Sequence, residues 1–206
     1  MLKLFILTGC DGAGKTTIWK KLPEMYLTTD HPSDEIYFEA FPKPEAKEAL
    51  IKLDEPLYGS LTRHKVFETD FERFRLEYGK VAQDLTDGMY QKSDAIVICD
   101  RFYPDNMAYS LYFNPDIPIE MFDLTDKFNN CEISIVHISP NTTLWKEKYN
   151  HDEVHEGFKD LIDICYQKVF LYLVSRYPRT RVNVKIVYNR YDGQAEKEVY
   201  EHFQNI

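Results

Sequence analysis

Eight consecutive residues near the start of the chain, Gly9-Cys-Asp-Gly-Ala-Gly-Lys-Thr16, have the types and spacing that hold a polyphosphate. They fit G-x-x-x-x-G-K-[ST] without mismatch, between a buried-strand pattern and a helix pattern. Gly9, Gly12 and Gly14, with Ala13 beside them, let successive backbone N–H groups turn toward one anion, and the helix that follows adds its positive end. Lys15 supplies a point charge to the β- and γ-phosphates of a bound polyphosphate. Thr16 offers a hydroxyl to Mg²⁺, and Thr17 continues the loop into the helix. Asp11 is unexpected here, because a carboxylate beside a polyphosphate is costly unless it serves a purpose. Accepting a hydrogen bond from a sugar hydroxyl of a second substrate is one such purpose; shaping the loop is the other.

A second pair lies in Ala95-Ile-Val-Ile-Cys-Asp100-Arg101, an acid and a base at the carboxyl end of a buried run. Ligands gather at that edge of open α/β sheets. Asp100 suits Mg²⁺, directly or through water, and Arg101 suits a phosphate, which its planar fork clamps. Glu39, near the end of another apolar run, is placed to act as a base toward a hydroxyl acceptor, or simply to face outward. His151 and His155 stand one turn apart, but the glutamate that a zinc protease needs after the first histidine is absent.

These residues need a scaffold. Five short apolar runs supply strands: Leu2–Leu7, Glu35–Phe41, Ala95–Cys99, Ile133–Ile138 and Val182–Tyr188. The first, third and fourth are nearly continuous, as strands buried on both faces are. Helical patterns lie between them at Thr16–Leu22 (ended by Pro23), Glu45–Leu53, Leu61–Tyr90, Pro118–Phe128, Glu153–Val174 and Gln194–Phe203. Alternating strands and helices predict an α/β fold with a parallel sheet and right-handed crossovers. The polar stretch 141–157, with Lys146 and Lys148, reads as a lid on a single domain spanning 1–206. The stripe Phe67, Phe71, Phe74 and Tyr78 reads mainly as core.

The chain has 206 residues, 44% of them hydrophobic, enough for a packed core. Its net charge of −9 argues against a stable nucleic-acid partner. Cys10, Cys99, Cys131 and Cys165 form no metal clip or disulfide framework, which fits a reducing cytoplasm. No signal peptide or run of about 20 apolar residues is present, so no membrane partner is expected.

The motifs together resemble the thymidylate kinases, within the wider group of P-loop nucleotide and deoxynucleoside kinases. GCDGAGKTT matches their loop, including the acid at Asp11. Asp100-Arg101-Phe-Tyr-Pro-Asp-Asn-Met-Ala108-Tyr109 resembles their DR[YH]-x5-AY segment. Phe41-Pro42 and Val66-Phe67 followed by Asp70 resemble two further family segments. The resemblance implies a P-loop NTPase three-layer sandwich, a five-stranded parallel sheet in the order 2-3-1-4-5 flanked by helices. It also implies ATP and Mg²⁺ as cofactors, a nucleoside monophosphate acceptor, and often a homodimer. Asp11 would bind the deoxyribose 3′-hydroxyl, Arg101 the acceptor phosphate, Phe67 the base and Tyr109 the sugar.

The chain also departs from that family. Lys43 stands where an arginine usually meets the acceptor phosphate, and Phe71 where an arginine reads the thymine edge. Arg75 and Arg63 lie one turn from Phe71 and Phe67 respectively. Ser110 replaces a glutamine, and the lid holds no arginine. These changes bear on which base is taken more than on phosphoryl transfer. The expected activity is ATP- and Mg²⁺-dependent phosphorylation of a deoxynucleoside monophosphate, dTMP or a related pyrimidine, to the diphosphate. Two alternatives remain: a deoxynucleoside kinase using Glu39 on a 5′-hydroxyl, and a nucleotide-binding regulatory module. The guanine-reading N-K-x-D pattern of a GTPase switch is missing.

Overall fold

The computed structural model describes residues 1–27, 36–40, 95–113, 115–116, 118–128, 130–148 and 158–205. Five strands lie in one parallel sheet: β1 (Leu2–Thr8), β2 (Ile36–Ala40), β3 (Ile96–Asp100), β4 (Cys131–Pro140) and β5 (Val182–Asn189). Their order is β2-β3-β1-β4-β5, the 2-3-1-4-5 arrangement that the sequence resemblance implies. Leu4, Phe5, Ile6 and Leu7 are fully buried, as are Ile98, Ile133, Ile135, Val136 and Ile138. The central strands are therefore covered on both sides, which explains their unbroken apolar runs.

Helices α1 (Lys15–Leu27), α2 (Tyr103–Phe113), α3 (Thr142–Lys148), α4 (Phe158–Arg176) and α5 (Gln194–Gln204) complete the described elements. Two side chains on β4 show how the layers divide. Ser134 Oγ meets His202 of α5 at 3.1 Å, whereas the His137 ring packs 4.6 Å from that of Tyr166 on α4. Three residues apart on a strand, they point to opposite faces. Phe5 stacks on Phe203 at 4.3 Å, closing the α5 side. Tyr166, Phe102 and Phe128 pack the other side, with Phe102 and Phe128 in edge contact at 5.9 Å.

The register aligns the polar strand ends. Leu7 pairs with Asp100, Thr8 with His137, and Pro140 with Asn189. Each strand thus carries its last residues to the same carboxyl edge.

Two helical expectations are corrected, and one helix that was not expected is present. Helix α1 continues through Pro23 to Leu27, where Pro23 was expected to end it. Burial of Ile18 and Leu22, with a bond from Trp19 Nε1 to the Ile98 carbonyl at 3.0 Å, holds the helix across the one backbone bond proline cannot make. The 118–128 segment forms two short 3₁₀ turns, Ile119–Phe122 and Thr125–Lys127, in place of one helix. Between them the Asp123 carboxylate takes the Thr125 N–H at 2.9 Å, so the side chain competes with the helical ladder. The residues after Arg101, read only as a motif, form α2. In its first turn Asp105 reaches back to accept the Phe102 N–H at 3.2 Å, one half of a capping box, the phenylalanine having no side-chain acceptor to return the bond.

The expected helices at 45–53 and 61–90, and the 149–157 half of the expected lid, lie outside the described residues. The other half begins as α3, with Asn141 Oδ1 accepting the Leu144 N–H at 3.1 Å. Among the described residues no helix is long and apolar enough to cross a membrane.

Candidate functional site: a phosphate loop facing an arginine clamp

Residues 9–14 connect β1 to α1 in a loop that depends on glycine at two positions. Gly9 has φ 143°, and a Cβ there would meet the Ile138 carbonyl oxygen at 2.4 Å. Gly14 has φ 90°, and a Cβ would meet Asn189 Nδ2 at 2.4 Å. Neither the backbone conformation nor the space admits an L side chain. Gly14→Ala is therefore expected to destabilise the protein by about 1–3 kcal/mol through strain alone. It should also weaken nucleotide binding, because Asn189 would be pushed off the loop. Thermal melting and a nucleotide titration check both; unchanged values would show the Asn189 brace to be dispensable.

Five consecutive loop carbonyls are anchored by side chains. Lys15 Nζ donates to Gly9 O at 2.7 Å and Cys10 O at 2.8 Å. Tyr166 Oη also approaches Gly9 O, at 3.0 Å. Trp145 Nε1 donates to Asp11 O at 2.8 Å, Tyr191 Oη to Gly12 O at 2.9 Å, and Asn189 Nδ2 to Ala13 O at 2.8 Å. The anchors come from α3, α4 and the end of β5, as well as from the loop's own lysine. A loop whose carbonyls are tied outward presents its amide edges to the concave side, where an anion fits.

Lys15 is buried, and burial followed by the nearby Arg101 charge pushes its ammonium below the usual lysine range. An anion arriving in the loop would restore the preference for the charged form. Thr16 Oγ1 donates to Asp100 Oδ2 at 2.6 Å. Asp100 Oδ1 is buried and makes no hydrogen bond. A hydroxyl beside a carboxylate with one unsatisfied oxygen fits Mg²⁺, which binds few protein oxygens and completes its shell with water and phosphate.

Arg101 follows Asp100 in the left-handed region, with φ 68°. Its N–H donates to Leu7 O at 2.9 Å, which fixes the turn that swings the side chain toward the loop. The guanidinium pairs with Asp11, lies 4.0 Å from Asp105 Oδ1 on its other side, and faces the Tyr109 ring at 6.0 Å. Burial opposes the arginine charge, but Asp105 and Asp11 outweigh it and keep the guanidinium protonated. Burial also raises the Asp105 carboxyl, against the lowering effects of Arg101 and Lys15.

The structure thus gathers Gly9, Asp11, Gly12, Ala13, Gly14, Lys15, Thr16, Asp100, Arg101 and Tyr109 at one sheet edge, with Thr17 in the first turn of α1. Phe41, Lys43, Phe67, Phe71, Arg75 and Arg63 lie outside the described residues, as do His151, His155 and the side chains of Lys146 and Lys148. Glu39 sits near the end of β2, in register with Cys99. The sequence reading missed Asp105, Trp145, Tyr166, Asn189 and Tyr191. Only Asn189 and Tyr191 carried a local signal, their place just where the last strand reaches the carboxyl edge.

The family model described as an AAA domain matches residues 4–185. No curated protein matches the sequence. Among solved structures, the chain is similar to the thymidylate kinase of Ehrlichia chaffeensis, with TM-score 0.56, 19% identity, and 98% of each chain covered. It is similar to the thymidylate kinase of Candida albicans, with TM-score 0.57, 13% identity, and coverage of 98% of this chain and 91% of that one. A third likeness is to the YorR protein of Bacillus subtilis in complex with phosphorylated GDP, with TM-score 0.50, 16% identity, and coverage of 98% and 93%. At these identities the likeness is one of fold. The phosphate loop sits inside a family match spanning most of the chain, so the chain belongs to the AAA domain family of P-loop proteins and has the fold of the thymidylate kinases.

Proposed function

We propose that the protein transfers the γ-phosphoryl group of ATP to a deoxynucleoside monophosphate, dTMP or a related pyrimidine, forming the diphosphate. One observation supports this most: two cations, Lys15, which opens the helix after β1, and Arg101, which follows the adjacent β3, lie near enough for the charge of one to bear on the other, with Asp11 touching Arg101 from within the phosphate loop.

In this reading Lys15 and the loop amides hold the β- and γ-phosphates. Thr16 and Asp100 would hold Mg²⁺, which when bound neutralises charge on the phosphates. Arg101 holds the acceptor phosphate. A phosphate monoester is already largely ionised near neutral pH, so the site needs no strong base, and catalysis is positioning and charge neutralisation. The segment 141–157 would close over the site as a lid and exclude water. Phe41, Lys43, Phe67, Phe71 and Arg75 would line the acceptor pocket. With Phe71 in place of an arginine, thymine preference would rest on Arg75, Arg63 or water.

Asp11 has a defined task on this account. The incoming phosphate displaces it from Arg101, and the freed carboxylate accepts the sugar 3′-hydroxyl. Asp11→Ala should then lower kcat/KM for the 3′-hydroxyl substrate by about 5- to 150-fold, the equivalent of roughly 1–3 kcal/mol for one hydrogen bond to a charged group. The loss should be much smaller with the 3′-deoxy analogue, because a carboxylate accepts only where the partner can donate. Equal losses with both substrates would show that Asp11 only shapes the loop.

A further inference from the structure

Two buried polar side chains, Tyr166 and Asp105, join the loop to Arg101. Tyr166 is fully buried on α4. Its hydroxyl lies 2.7 Å from Asp105 Oδ1 and 3.0 Å from Gly9 O. Both neighbours are acceptors, and a phenol has a single proton to give. With Asp105 ionised, the hydroxyl can satisfy only one of them at a time.

The remaining contacts decide which. In this structure Gly9 O already receives Lys15 Nζ at 2.7 Å, so Tyr166 is free to donate to Asp105. When Lys15 turns to a bound phosphate, Gly9 O loses that donor. A buried carbonyl left unpaired is costly, and Tyr166 is within reach to replace the lysine. The phenol proton then leaves Asp105 Oδ1, the oxygen that lies 4.0 Å from Arg101 Nη1. Asp105 keeps the Phe102 N–H on its other oxygen and so stays in place. Stripped of one donor, its charge acts more strongly on Arg101 and competes with Asp11 for the guanidinium. The hold of Asp11 on the guanidinium is thereby weakened, and the acceptor phosphate displaces it more readily.

We infer that Tyr166 is a positioning residue whose hydroxyl, through Asp105, couples ATP occupancy of the loop to the readiness of Arg101 for the acceptor. The inference rests on the kinase reading above and adds to it an order: donor binding primes the acceptor clamp. The coupling is carried by one proton changing partner, so no backbone movement is required.

The test is a binding cycle measured by calorimetry. Dissociation constants are determined with and without a saturating non-hydrolysable ATP analogue and Mg²⁺. The acceptors are dTMP, dUMP, dCMP, dGMP and the four matching nucleosides. In the unmutated protein the analogue should tighten the best acceptor by at least about fivefold, the lower end of ordinary coupling between sites. Tyr166→Phe, which keeps ring and volume, should reduce that factor to below about twofold while the protein melts cooperatively as before. Asp105→Asn should do the same, and the double variant should lose no more than either single one, because both act along one path. A merely structural tyrosine would change stability and leave the coupling factor alone. A factor near one in the unmutated protein, one that survives Tyr166→Phe, or additive losses in the double variant would overturn the inference. Coupled binding of a nucleoside alone would refute the monophosphate reading, and loss of that coupling in Tyr166→Phe would uphold the relay while its persistence would overturn it. No binding by any of the eight would count against both.

Discussion

Lys15→Ala is expected to lower ATP-dependent turnover by about 10²–10³-fold or more, the scale for removing one preorganised donor from a transferring group. The fold should survive. The lysine charge lies against two loop carbonyls and is disfavoured by burial and by Arg101, so its loss relieves an unfavourable charge as well as removing two bonds. Gly9 O keeps Tyr166 within 3.0 Å, which limits the disturbance to the loop. Turnover and far-ultraviolet circular dichroism measured on the same preparation check this. A folded variant with unchanged turnover would mean that the loop does not hold the transferring phosphate.

Arg101→Ala is expected to lower kcat/KM for the monophosphate by a similar factor, corresponding to roughly 2.7–4 kcal/mol, while ATP affinity changes by less than about threefold. The asymmetry follows from position: Arg101 stands at the end of β3, across from the loop, and touches it only through Asp11. Arg101→Lys separates charge from shape. It keeps a cation beside Asp105 and Asp11 but loses the fork that grips two phosphate oxygens. It should recover melting temperature more fully than activity, because buried Asp105 needs only a positive neighbour. Steady-state kinetics with each substrate varied in turn gives the comparison. Collapse of ATP affinity with an unchanged acceptor KM would place Arg101 on the donor side.

The two halves of the site differed in how far local sequence revealed them. Lys15 and Thr16 were legible from the glycine-rich loop pattern, and Asp100 and Arg101 because they sit where a strand ends and a strand buried on both faces announces itself as an apolar run. The runs stopped a residue or two short at Thr8, Asp100, Pro140 and Asn189, since the ladder continues into the polar residues that serve the site. Helix α2 was not read as a helix because it is buried almost all round: Asp105 and Ser110 are as buried as Tyr103, Met107, Ala108 and Leu111, so no exposed polar face marks the period. The 118–128 segment misled in the opposite direction, showing a helical spacing that Asp123 interrupts. Tyr166 and Trp145 could not be found by spacing at all. They reach the loop across 157 and 134 residues respectively; Tyr166 looks like an ordinary core aromatic inside a helix pattern, and Trp145 lies in the polar stretch read as a lid. Asp105 lay inside a recognised motif, yet its role depends on Tyr166 and so on the tertiary fold.

The central claim is that the group receiving the γ-phosphoryl is itself a phosphate. The most direct measurement incubates the protein with Mg²⁺-ATP and an equimolar panel of deoxynucleoside monophosphates and deoxynucleosides, and identifies the products by mass. The account predicts a deoxynucleoside diphosphate, formed in step with ADP and absent from the Lys15→Ala and Arg101→Ala variants. A monophosphate formed from a nucleoside would contradict it and assign the chemistry to a base such as Glu39. ADP released with no phosphorylated acceptor would contradict it in favour of a nucleotide-hydrolysing module.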